Sequence, residues 1–95
     1  MNIDLPQNYT KLNSKSRKTI RETYIEEQKG LCHYCRAELS GQPQKLARAK
    51  VVHPGLYPAG FFDNPVHLHH CHETGMTIGA VHAHCNAVLW EYEKE

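Results

Sequence analysis

Two pairs of side chains with matching spacing carry the first chemical signal. Cys32-x2-Cys35 and His82-x2-Cys85 each place two N/S donors at positions i and i+3. A backbone that turns between such donors lets both reach one tetrahedral ion, and four of them close a structural zinc site. Cys32-x2-Cys35 alone is only suggestive, because the same spacing serves redox chemistry in a thioredoxin-like βαβ setting; that setting is absent here. Taken together, the pairs predict a Cys3His zinc site. His84, His33 and Cys71 compete with His82 for the fourth position, and spacing favours His82 because it mirrors the first pair. Cys71 has no partner at that spacing and reads as a buried or free thiol.

A second cluster overlaps the first. His67-Leu68-His69-His70-Cys71-His72-Glu73-Thr74-Gly75 is followed by His82-Ala83-His84-Cys85-Asn86. Phosphodiester cleavage needs an attacking water, a base for its proton and a cation for the developing charge. A neutral imidazole suits the base because its pKa lies near neutrality. A second imidazole and an amide oxygen can hold a divalent ion with positions left open. Plainer roles compete with these. His70 and His67 can be buried structural histidines, Asn86 can cap the helix it begins, and His69 can extend a zinc site. Geometry adds a condition. Consecutive strand residues point to opposite faces, so His69 and His70 share a site only if the strand ends or twists there.

The elements that must position these groups follow from the pattern. Ser14 or Ser16 can cap a helix running to about Lys29, with Gly30 as its stop. Its apolar stripe is Ile20, Tyr24 and Ile25. Residues 1–12 read as a loose, flexible tail, and 13–95 as one zinc-stabilised domain. Residues 40–65 are dense in Gly and Pro and read as loop, with a short strand at Ala49–His53. Val66–His70 and Thr77–Val81 are predicted strands joined by a Thr-Gly turn, with a bulge at Gly79. A helix is expected from His82 onward.

The chain has 95 residues, which fits one domain small enough to need a staple. Its net charge of +1 says nothing about partners, but the distribution is uneven. Lys15, Arg17, Lys18 and Arg21 crowd the first helix and are candidates for contact with nucleic-acid phosphates; a solvated basic face is the plain alternative. Nothing approaches membrane-spanning length. Met1 to Pro6 lack the regions of a secretory signal, so a cytoplasmic protein, with cysteines that bind metal rather than pair, is the expectation.

Residues 67–86 resemble the HNH motif of ββα-metal nucleases, most closely the phage recombination endonuclease VII family. That family shows a Cys-x2-Cys knuckle, then Asp-His-Asp-His-x-Thr-Gly, a Gly, and Cys-x2-Cys-Asn. Here the matching residues are Cys32 and Cys35, then His69 through Gly75, Gly79, and His82-x2-Cys85-Asn86. Gln28-Lys29-Gly30-Leu31 before the knuckle also fits. The resemblance implies an α+β ββα-metal (His-Me finger) domain with a Cys3His zinc knuckle and an N-terminal basic helix. It implies His70 as general base, His69 and Asn86 as ligands of a catalytic divalent ion, and His72 near the scissile phosphate. The implied reaction hydrolyses phosphodiester bonds and leaves 5′-phosphate and 3′-hydroxyl ends; nicking of double-stranded DNA is the expectation, and the oligomeric state, monomer or homodimer, stays open because the family's long dimerisation helix has no counterpart here.

Three departures qualify this. The family's first Asp is His69, which weakens binding of hard Mg²⁺ and favours Mn²⁺, Ni²⁺ or Zn²⁺. The second Asp is Cys71, and one zinc cysteine is His82. The stretch from Leu46 to Pro65 matches nothing in the family and is either a substrate loop or a surface excursion. A zinc-dependent nucleic-acid-binding module without cleavage, a structural zinc domain for protein contacts, and a subunit of a larger nuclease or packaging complex are the alternatives.

Overall fold

The computed structural model describes residues 4–93. They form an α+β unit: a two-stranded antiparallel sheet with helices packed on it. Helix α1 (Ser14–Glu27) comes first and α2 (Lys45–Arg48) is a single turn. Strands β1 (Val66–His70) and β2 (Thr77–His82) lead directly into helix α3 (Ala83–Val88), which a π-helical turn, Leu89–Glu93, continues. No helix among the described residues is long and apolar enough to cross a membrane.

The cap of α1 is Asn13, not Ser14 or Ser16. Its side chain accepts the Ser16 N–H at 2.8 Å, and Ser14 is already helical. An Asn in extended backbone satisfies one of the free N–H groups of the first turn as well as a serine does. At the other end the helix stops at Glu27, short of Lys29. Lys29 and Gly30 both take positive φ (57° and 76°), and the Gly30 N–H closes on the Ile25 carbonyl at 2.8 Å. This is a Schellman ending with lysine at the left-handed position. The buried face carries Ile20 and Tyr24, and the Tyr24 hydroxyl lies 2.9 Å from Thr77 Oγ1 on β2.

The strands pair from Val66↔His82 to His69↔Gly79, and then the register slips to His70↔Thr77. The extra residue is therefore Ile78, beside the expected bulge at Gly79. Gly79 serves close approach instead. The Gln28 amide behaves as a strand partner for β2: Nε2 donates to the Ala80 carbonyl and Oε1 accepts the Ala80 N–H, both at 2.9 Å. The His33 N–H also reaches the Ala80 carbonyl at 2.9 Å. A Cβ on residue 79 would lie 2.9 Å from both Gln28 Oε1 and His33 Cγ. Gly79→Ala is therefore expected to destabilise the domain by about 1–3 kcal/mol. Denaturant unfolding at constant zinc measures this, and an unchanged midpoint would mean that the contact has slack.

Two further expectations fail. No strand forms at Ala49–His53. Ala49 caps α2, and the chain then runs irregularly into a 3₁₀ turn at Pro54–Leu56. Val51 and Val52 favour a strand locally, but no other strand lies beside them, and a lone strand leaves its ladder unpaired. The second failure is the loose tail. Gln7 accepts the Thr77 N–H at 2.8 Å, Tyr9 donates to the Gly75 carbonyl at 2.8 Å, and Leu5, Tyr9 and Leu12 pack on the core. Residues 4–12 thus extend the β1–β2 turn, whose backbone groups need partners. Residues 1–3 of the expected tail, and 94–95 of the expected domain, lie outside the described residues.

Candidate metal centre and histidine cleft

The knuckle after α1 supplies Cys32 and Cys35, the end of β2 supplies His82, and the first turn of α3 supplies Cys85. Their four donor atoms lie within 4.8 Å of one another. His82 Nδ1 is 3.5 Å from Cys35 Sγ and 3.6 Å from Cys85 Sγ. A tetrahedral zinc with Zn–S near 2.3 Å and Zn–N near 2.0–2.1 Å requires S···N edges of about 3.6 Å. The donors fit.

Surrounding groups prepare these atoms. His82 Nε2–H donates to the Glu38 carbonyl at 2.8 Å, which leaves the Nδ1 lone pair facing the sulfurs. Backbone N–H groups of Cys35 and Gln44 point at Cys32 Sγ (3.5 Å) and Cys35 Sγ (3.4 Å). A hydrogen bond from Cys85 draws the Cys32 thiol down to about 4, towards the thiolate that binds metal. The same shared proton, with burial, pushes Cys85 up. Both cysteines are completely buried. The competitors are placed elsewhere. His84 Nε2 donates to the Ala47 carbonyl at 2.8 Å, His33 packs on Gly79, and Cys71 sits in the β1–β2 turn. Four N/S donors with no open position make a structural site.

A cleft of about 540 Å³ lies beside β1 and brings together His67, His70, His72 and Asn86. Helix α1 adds Arg17 and Arg21, the N-terminal segment adds Tyr9, the loop adds residues 56–61, and the π turn adds Trp90. The loop from Leu46 to Pro65 is pinned to that turn. The Tyr57 hydroxyl donates to Glu91 Oε2 at 2.7 Å, His53 Nδ1 lies 2.6 Å from Glu91 Oε1, and the Tyr92 hydroxyl donates to the Val51 carbonyl at 2.5 Å.

His70 ends β1 where the register slips. Its ring stacks on Tyr9 with centroids 3.9 Å apart, and the Arg17 guanidinium also lies 3.9 Å over the Tyr9 ring. Burial, with the charges of His72, His69 and Arg17, pushes the His70 imidazole down to about 4, so it is neutral at pH 7 and able to accept a proton. His72 is exposed, 5.0 Å from His70 and edge-on to Trp90 at 5.2 Å.

His69 takes a different place. It is buried, lines a separate cavity of about 300 Å³ with His33 and Tyr34, and reaches Asn86 from behind: Nδ1 is 3.2 Å from Asn86 Oδ1. Asn86 therefore joins the two histidines, facing the cleft with His70 and touching His69. Of the basic residues, Arg17 and Arg21, one turn apart, line the cleft, whereas Lys15 and Lys18 are exposed outside it.

Three cleft residues were missed in the sequence. His67 was legible in principle as a second partner of Asn86, because positions i and i+2 of a strand share a face and His69 lies at i+2. Tyr9 and Trp90 reach the cleft by tertiary packing and carry no local signal. Comparison with known protein families, with curated proteins and with solved structures finds no match to this chain.

Proposed function

We propose that this chain is an HNH-type endonuclease that hydrolyses phosphodiester bonds in DNA with a divalent ion. The observation that carries the reading is the meeting of a neutral histidine, an amide on a zinc-anchored helix and two arginines in one cleft. Arg17 and Arg21 hold the phosphate, and His72 contacts it from the rim. His70, half-buried in the cleft and neutral at pH 7, takes the proton of the attacking water.

His69 Nδ1 and Asn86 Oδ1 would hold the catalytic ion. His69 Nδ1–H donates to Asn86 Oδ1 at 3.2 Å, so the ion would replace that hydrogen; the separation is close to the spacing of about 3.0 Å between adjacent ligands of a six-coordinate ion with bonds near 2.1 Å. Bound there, the ion supplies charge neutralisation at the reacting phosphate. An imidazole and an amide in place of carboxylates favour Mn²⁺ or Ni²⁺ over Mg²⁺. Cys85, one residue before Asn86, ties this amide to the zinc cluster, so the structural site fixes the catalytic one.

The direct test is a labelled DNA duplex incubated with zinc-loaded protein and Mn²⁺. Strand breaks with 3′-hydroxyl ends that a polymerase extends are the expected product. Salt-dependent binding with no breaks in any ion would favour the binding-module alternative. Binding itself carries a further expectation. Each lost phosphate contact lowers the slope of log K against log salt by about 0.9 for duplex DNA. Arg17→Ala with Arg21→Ala should therefore flatten that slope by nearly two, read by fluorescence anisotropy across a salt series. An unchanged slope would remove both arginines from the interface.

A further inference from the structure

We infer that His67 is a positioning residue that sets which end of the Asn86 amide faces His69. The inference rests on the proposed role of His69 and Asn86 as ligands of the catalytic ion. His67 and His69 lie on the same face of β1, and both touch Asn86. His67 Nε2 is 2.8 Å from the Phe61 carbonyl oxygen, and its ring stands edge-on to the Phe61 ring at 4.6 Å.

A carbonyl can only accept, so His67 Nε2 carries the hydrogen. In a neutral imidazole the other nitrogen, Nδ1, is then a bare acceptor. Asn86 Nδ2 lies 3.1 Å from it and is the donor. An amide has one oxygen end and one nitrogen end. With Nδ2 committed to His67, Oδ1 must face His69, where it lies 3.2 Å from Nδ1. The main-chain carbonyl of Phe61 thus dictates, through His67, that Asn86 presents an oxygen donor to the ion and not an NH₂ group. Partners of this kind fix ligand orientation at metal sites, and removing one typically costs 10–100-fold in metal affinity. The cleft loop acquires a role as well. Phe61 sits in the segment pinned through Tyr57 to Glu91, so the loop after α2 anchors the relay.

The experiment titrates Mn²⁺ into zinc-loaded full-length protein and follows free Mn²⁺ by EPR, for wild type, His67→Phe and His67→Asn. His67→Phe keeps the ring shape but offers no acceptor, and its Mn²⁺ affinity is expected to fall about 10–100-fold. His67→Asn places an oxygen near the Nδ1 position and should recover most of that loss, which a merely structural role would not produce. Zinc content and thermal unfolding identify any variant that misfolds. His67→Phe binding Mn²⁺ like wild type, or both variants weakened alike, would overturn the inference. A second readout needs neither variant nor Mn²⁺. Imidazole ¹⁵N shifts of the zinc-loaded wild type should show His67 as the neutral Nε2–H tautomer, and an Nδ1–H tautomer would overturn the relay outright. Wild-type protein that binds no Mn²⁺ at all would instead sink the metal role of His69 and Asn86, while the tautomer still decides whether His67 orients the amide.

Discussion

His70→Ala is expected to lower DNA cleavage by about 10²–10⁴-fold, the usual contribution of a general base, while leaving zinc content and fold unchanged. The separation of effects follows from position. His70 is the last residue of β1, stacks on Tyr9 and faces the cleft, and it is not among the zinc donors. Its loss removes the proton acceptor without opening the core, whose nearest β1 member is Leu68. Single-turnover nicking of a labelled intact duplex, at saturating metal, measures the effect on chemistry rather than on binding. A His70→Ala protein that cuts as fast as wild type would take His70 out of the reaction. Tyr9→Ala provides a graded companion, because it frees the imidazole to rotate but keeps its nitrogens.

Removing zinc is expected to unfold the domain. Apparent binding energies of structural zinc in small zinc domains are about 10–16 kcal/mol at neutral pH, the size of a whole domain's stability or more. In this chain the four donors come from the knuckle, β2 and α3, and Cys32 and Cys85 are themselves core residues. Stripping the ion with a chelator, or Cys85→Ala, should abolish the dispersed amide NMR spectrum and the cooperative melting transition. Cys71→Ser is the matched control, because Cys71 lies outside the cluster, and it should keep one zinc per chain. Retention of a cooperative transition by the stripped protein would show that the apolar core suffices. Loss of zinc in Cys71→Ser would redraw the ligand set.

The zinc cluster was legible because its information is local: two donor pairs at i and i+3 each need only a turn to converge. His82 over His84 was likewise readable from spacing, and the structure gives the physical reason in the Glu38 carbonyl that turns His82 Nδ1 towards the sulfurs. Helix α1 and the two strands were readable to within a few residues from Ile20 and Tyr24 and from the apolar runs around the turn. What the sequence hid was long-range. Gln7 and Tyr9 pair with Thr77 and Gly75, far along the chain, and nothing in residues 4–12 announces it. Val51 and Val52 looked like a strand because propensity is blind to whether a partner strand exists. The cap moved from serine to Asn13 because Asn, Ser and Thr are near-equivalents at that position. In the cleft, Asn86 and His70 were readable as a pair, but the burial of His69 behind Asn86 depends on how α3 packs against β1, which spacing alone does not specify.

The measurement that bears most directly on the proposed activity is plasmid nicking by zinc-loaded protein freed of all other metals. Supercoiled DNA is incubated without added metal and with Mn²⁺, Ni²⁺ or Mg²⁺, each beside His70→Ala. The expected result is nicked or linear product only where a divalent ion is added, strongest with Mn²⁺ or Ni²⁺, and nearly absent for His70→Ala. Intact supercoiled plasmid under every ion, with zinc in place and DNA bound, would contradict the nuclease reading.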